Sequence, residues 1–217
     1  MNSLARSVGI VPTMLTVIEG RVMGCLLEKE RTVPDQYPLT LNALVTACNQ
    51  STSREPMMHL DDHEVDATLS SLKGQGLLRF VHPSHGRSVT RYRQVAHEKW
   101  EQEDDAMAIL AVLLLRGPQT VAELRQRTER LYEFTDLDRV ESVLHTLSEA
   151  GMVRLLERHP GQKEARWQQL LAGEIEQAFV AVAVEPASVK GSAADRIIQL
   201  EARVTRLEVA LADLLGD

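Results

Sequence analysis

Apolar residues recur at helical spacing in two stretches that superimpose when 75 is added to the residue number. EVDATLSSLKGQGLLRF (64–80) and RVESVLHTLSEAGMVRL (139–155) align Val65 with Val140, Leu69 with Leu144, Leu72 with Leu147, Gly76 with Gly151 and Arg79 with Arg154. A self-repeat exposes the building unit of a chain. Here the unit is an amphipathic helix, a glycine that ends it, and a strand leading into a hairpin.

The flanking pattern extends each copy. Ile18, Val22, Cys25 and Leu26 lie at helical spacing and predict a first helix to about Glu30. Pro34 and Pro38 exclude a helix from the following segment, where Tyr37 and Leu39 suit a short edge strand. Thr40 can cap a second helix carrying Leu41, Leu44, Val45 and Cys48. Asp61 and Glu64 have capping-box spacing and open the third helix, which Gly76 closes. LLRFVH (77–82) and SVTRYRQ (88–94) read as strands around the turn PSHGR. The second copy follows the same plan. Met107, Leu110, Ala111 and Leu114 form an apolar face, Gly117 and Pro118 break it, and Thr120 and Glu123 box the next helix. A helix from Asp136 to Gly151 follows, then the strands MVRLLER and EARWQQL, with Trp167 in the place of Tyr92. Helix, short strand, helix, helix, hairpin is the order of a winged helix. The expected fold is therefore α+β and mostly helical: tandem winged-helix domains followed by a C-terminal coiled-coil helix. The boundaries are a leader at 1–15, domains at 16–98 and 99–172, a linker at 173–194 and the coiled-coil helix at 195–217.

That last helix follows a different period. Ile197, Leu200, Val204, Leu207, Leu211 and Leu214 alternate in steps of three and four. Ile, Val and Leu at a, with Leu at d, favour two parallel strands. Arg196 and Arg203 at g face Glu201 and Glu208 at e of a parallel partner, so a homodimer is expected. The alternative is a helix folded back on its own domain.

Composition narrows the function classes. Net charge is −7, which is not the footprint of a protein that coats nucleic acid without regard to sequence. Aromatics are 4 %, so the cores must be aliphatic. The longest apolar run, 106–115, is too short to span a membrane, the first residues do not read as a signal peptide, and Cys25 and Cys48 sit in apolar patterns as buried thiols. The expected location is cytoplasmic. No phosphate-binding glycine loop or nucleophile elbow is present, and no catalytic residue, cofactor or metal ligand is assigned. His59 and His63, and His82 and His85, lack companions at zinc-ligand spacing and read as surface histidines.

The stretch from Gly20 to Met58 resembles the YceH-like family of uncharacterised bacterial proteins. The resemblance rests on LEKE (27–30), PDQYPLTLNAL (34–44), CNQ (48–50) and REP (54–56), and continues through the repeat to about Leu171. The chain departs from the pattern at Val33 and at Ser51–Ser53. The resemblance implies a tandem winged-helix fold and no activity.

Two functional readings remain. The third helices, which enter the major groove in most winged helices, are acidic. Residues 61–76 hold four acids and one Lys, and residues 136–150 hold four acids and one Arg. The first hairpin is the opposite: Arg79, Arg87, Arg91 and Arg93 with no acid up to His97. Arg87, Arg91 and Arg93, joined by Arg54 from the preceding loop, are the candidate phosphate contacts of a DNA-binding regulator. The alternative is a protein–protein adaptor that docks partners through the acidic helices and the coiled coil.

Overall fold

Capping residues set the helix limits seen in the computed structural model, which describes residues 14–82, 89–158 and 163–173. The first half contains helices α1 (Val17–Thr32), α2 (Leu41–Cys48) and α3 (Asp62–Gly74), with strands β1 (Leu39–Thr40), β2 (Leu78–Val81) and β3 (Arg91–Gln94). A short helix α4 (Ala96–Trp100) leads to the second half. That half contains α5 (Asp104–Arg116), α6 (Val121–Thr128), α7 (Leu137–Glu149), and strands β4 (Val153–Leu155) and β5 (Trp167–Gln169). Capping boxes open α1 at Thr16/Glu19, α3 at Asp61/Glu64 and α6 at Thr120/Glu123. Each satisfies two backbone donors that the first turn leaves without partners. The described chain is thus mixed α and β, with small antiparallel sheets.

The 75-residue offset reappears in the hydrogen bonds. Leu77 N donates to Leu72 O, and Met152 N donates to Leu147 O. Gly76 N donates to Lys73 O, and Gly151 N to Ser148 O. Gly76 and Gly151 have φ of +74° and +70°, a conformation costly for other residues, which is why glycine closes both helices. Val65, Leu69 and Leu72 are fully buried, as are Val140, Leu144 and Leu147. The sheets repeat as well. In the first half the strand order is β1-β3-β2, with Leu39 opposite Tyr92. In the second, β4 pairs with β5, and an isolated bridge from Gln119 to Trp167 takes the place of β1. Tyr92 and Trp167 both point into the core.

The two halves share one aliphatic core, and their contact runs along α1 and α5. Gly20 and Gly24 put a bare backbone on the α1 face that meets α5. A Cβ on Gly24 would lie 2.8 Å from Leu115 Cγ, and one on Gly20 would lie 2.6 Å from Ala172 Cβ. Glu55 N donates to Leu115 O across the same boundary.

Two expectations shift. Leu15, placed in the leader, is buried and bonded to the end of the second half: its N–H donates to Leu171 O, and Gly173 N donates to Leu15 O. Helix α4 was not foreseen. It has no side-chain N-cap and only five residues, so its sequence carried no start signal. The expected linker beyond residue 173 and the coiled-coil helix lie outside the described residues, as do Ile197, Leu200, Val204, Leu207, Leu211 and Leu214.

Candidate nucleic-acid interface

Strand alternation sorts the first sheet into two faces. Leu78, Tyr92 and Gln94 are buried, whereas Arg79, Val81, Arg91 and Arg93 are exposed. The antiparallel register sets Arg79 directly opposite Arg93, and Val81 opposite Arg91. Three arginines therefore share one exposed face, two of them as a cross-strand pair. Like charges directly opposite each other are unfavourable. Arg79 is relieved by Glu98 on α4, at 3.1 Å. Arg91 Nη1 donates to Pro38 O at 2.8 Å and Gln36 O at 3.3 Å, which steadies the side chain without neutralising it. Among the described residues no carboxylate pairs with Arg91 or Arg93. The same-face placement of Arg91 and Arg93 follows from their spacing, whereas Arg79, named among the hairpin arginines but not among the candidate contacts, is placed on this face by the strand register. Arg87 lies outside the described residues.

Arg54 does not belong to this face. Its side chain is fully buried, and its five N–H donors meet five acceptors. Nε donates to Ala47 O at 2.9 Å, Nη1 to Ser53 O at 2.9 Å and Glu28 Oε1 at 3.2 Å, and Nη2 to Glu28 Oε2 at 2.7 Å and Gln50 Oε1 at 2.8 Å. No donor remains for a phosphate, so the expectation that Arg54 joins the basic patch is corrected. Burial works against the Glu28 carboxylate, but Arg54 and Lys29 outweigh it and hold its pKa below the ordinary value.

Arg21 completes this interior site. It is buried, with Nη1 donating to Cys48 O at 3.2 Å and Nη2 to Pro56 O at 2.6 Å. Ala47 and Cys48 end α2, so the two guanidiniums cap its terminal carbonyls, where a helix favours positive charge. Nearby, Asn49 Nδ2 donates to Leu60 O and Leu60 N donates to Asn49 Oδ1. Tyr37 Oη accepts from Gln94 N at 2.6 Å. The LEKE, CNQ and REP residues thus bind one another, and PDQYP binds Arg91 and Gln94 of β3. They fix the loop between α2 and α3 and the edge of the sheet, and they do not assemble reacting groups. Cys25 and Cys48 are both buried beside the guanidiniums. Burial raises the Cys25 thiol, but a hydrogen bond with Cys48 and the charges of Arg54 and Arg21 bring it below the usual thiol value.

The second hairpin is electrically quieter. Arg166 forms a two-pronged pair with Glu123, at 2.7 and 3.2 Å, and Arg154 donates twice to Gln168 Oε1. On the third helices, Asp61 and Glu64 bond each other's backbone N–H, and Asp136 Oδ1 accepts from Arg139 N. Asp62 and Asp66 on α3, and Asp138 and Glu141 on α7, are exposed. Among the described residues, no three His, Cys, Asp or Glu side chains are arranged to hold a metal ion. Among those residues, too, no helix is long and apolar enough to cross a membrane.

The described residues form a mixed α+β protein with small antiparallel sheets and an exposed arginine face on which Arg79 is paired with Glu98 and Arg91 and Arg93 have no carboxylate partner. The chain belongs to the DUF480 family, described as protein of unknown function, whose model matches residues 15–162. It is 46 % identical over 198 residues to a UPF0502 protein of Solibacter usitatus, covering 90 % of this chain and 94 % of the relative. A UPF0502 protein of Shewanella loihica is 41 % identical over 212 residues, covering 93 % and 98 %. One from Klebsiella pneumoniae is 43 % identical over 209 residues, covering 93 % and 96 %. The family resemblance drawn from residues 20–58 is thereby borne out.

Proposed function

We propose that this protein is a non-catalytic regulator built from tandem winged helices that grips DNA phosphates through Arg79, Arg91 and Arg93. The element order and matching helix ends of the two halves support the winged-helix reading. The observation that carries the DNA reading is the cross-strand placement of Arg79 against Arg93 on an exposed face. A cation pair of this kind is relieved when an anionic backbone lies across it. The acidic third helices keep their base-edge readout out of this scheme, so the arginine contacts are to phosphate. The heptad tail would join two copies and bring two such faces to one duplex; a chain ending at Val189 is then a monomer by sedimentation.

Fluorescence anisotropy with mixed-sequence duplexes tests the proposal. Binding weakens with salt, with a log–log slope of about −0.9 per phosphate contact. Replacing Arg79, Arg91 and Arg93 together by alanine flattens the slope. Absence of binding at low salt rejects the reading. The adaptor reading draws support from Asp62 and Asp66, exposed on α3 outside its capping box. It requires that a partner captured by the whole protein be released by Asp62→Asn with Asp66→Asn.

A further inference from the structure

A cavity of about 250 Å³ lies where the two halves meet beside α4. This is far more than the ~10–15 Å³ needed by one water. Its floor is apolar, formed by Leu27 of α1, Met107 and Ala108 of α5, and Leu131 after α6. Its rim is polar, with Glu30 and Arg31 from the last turn of α1, Gln94 of β3, His97 of α4 and Asp104 at the start of α5. Small-molecule sites combine such a floor with a few convergent polar groups.

The rim's hydrogen bonds determine which ligand it suits. Arg31 and Gln94 each donate to a rim carboxylate. Arg31 is paired with Asp104 across the boundary between the halves. Gln94 Nε2 donates to Glu30 Oε2 at 2.5 Å, and Gln94 Oε1 accepts from Ala96 N at 2.7 Å. Both carboxylates keep acceptor capacity. Among the described residues Glu30 accepts that single bond, at one of its two oxygens, and Asp104 likewise uses only Oδ1. Two carboxylates, Glu30 and Asp104, stand against the one guanidinium of Arg31 on this rim. The net negative rim disfavours an anion, and an apolar molecule leaves the unused carboxylate oxygens without partners.

We infer that this cavity is a binding site for a small organic ammonium ion, with its hydrocarbon body on Leu27, Met107 and Leu131 and its N–H donors on Glu30. The site is distinct from the arginine face and does not depend on DNA binding. It nevertheless touches the same elements: β3 carries both Gln94 and Arg93, and α4 carries both His97 and the Glu98 that pairs with Arg79.

The test uses n-butylammonium as probe, with butyrate as its anionic counterpart, on the full chain followed by amide NMR. Butylammonium is expected to shift the Gln94, His97 and Met107 resonances saturably, and butyrate to leave them in place. Glu30→Gln keeps the bond from Gln94 and removes the charge, so the dissociation constant should rise roughly tenfold, the order expected for a charge-assisted hydrogen bond. A Met107→Phe variant, which narrows the cavity floor, should weaken binding by a second route. Equal shifts with both probes, no saturation with butylammonium, or an unchanged constant in a folded Glu30→Gln protein would each overturn the assignment.

Discussion

Two sets of arginines occupy the first half, and they differ in everything except residue type. Arg21 and Arg54 are inside, their guanidiniums on the last carbonyls of α2, the loop that follows and the Glu28 carboxylate. Arg79, Arg91 and Arg93 are outside on one sheet face, two of them opposite each other. The inner set holds the chain together through buried planar guanidiniums, Arg54 with all five donors matched and Arg21 with both terminal nitrogens bonded to backbone carbonyls. The outer set contributes little to the fold and retains charge that a ligand can use. The difference shows that burial of the guanidinium against protein acceptors, not the presence of a cation in a loop or hairpin, separates a structural arginine from a candidate contact.

The sharpest way to break this contrast is Arg54→Ala. Removing one partner of a buried ion pair costs ~3–5 kcal/mol, because the remaining charge stays buried without compensation. Here Glu28 is the charge left behind, and the carbonyls of Ala47 and Ser53 also lose a donor. Urea denaturation should report a loss of that size. Arg54→Lys should recover little of it, since an ammonium cannot meet five acceptors in a planar fork. Phosphate binding measured on the folded fraction should be unchanged. A stable Arg54→Ala protein with weakened DNA binding would return Arg54 to the interface.

Next in size is the seam between the halves. Gly24→Val places a β-branched side chain where a Cβ alone would sit 2.9 Å from Leu115 Cδ2 and 3.2 Å from Leu114 Cβ. Overpacking of this kind costs ~1–3 kcal/mol, and valine regains only part of the helix propensity that glycine lacks. A net loss of about 2 kcal/mol is expected, with Leu115→Ala in the same chain restoring part of it. Additive losses in that double-mutant cycle would show that α1 and α5 do not meet through Gly24 and Leu115.

These two regions also mark how far the sequence could be read. The duplication was legible because periodicity, capping boxes and helix-ending glycines act over a few residues. The residues that express them sit at matching places: Val65 with Val140, Leu72 with Leu147, Gly76 with Gly151. Arg54 was misjudged because its partners Glu28 and Ala47 are 26 and 7 positions away, and nothing local distinguishes it from a solvent arginine. Arg79 was counted among the hairpin arginines but not as a candidate contact, because facing Arg93 depends on the hairpin register. A one-residue slip would move either side chain to the other face of the sheet. The LEKE and REP strings were visible as motifs, but their mutual bonding is tertiary. Sequence reading alone gave no reason to treat them as a clamp.

The smallest effect tests the outer set most directly. Surface substitutions clear of special contacts usually change stability by less than ~0.5 kcal/mol, and Arg93 has a reason to fall on the favourable side. Its cross-strand neighbour is Arg79, so Arg93→Gln removes a repulsion while keeping a long polar side chain on the strand. Stability in urea should rise by a few tenths of a kcal/mol at low ionic strength. The gain should shrink as salt screens the exposed charges over a Debye length of about 10 Å at 0.1 M. The same substitution should lower the salt slope of DNA binding by about 0.9, the signature of one lost phosphate contact. A gain that survives high salt would show that repulsion by Arg79 is not its source, and a variant that loses stability would show that Arg93 has an internal partner. The inner and outer arginines would then no longer be different in kind.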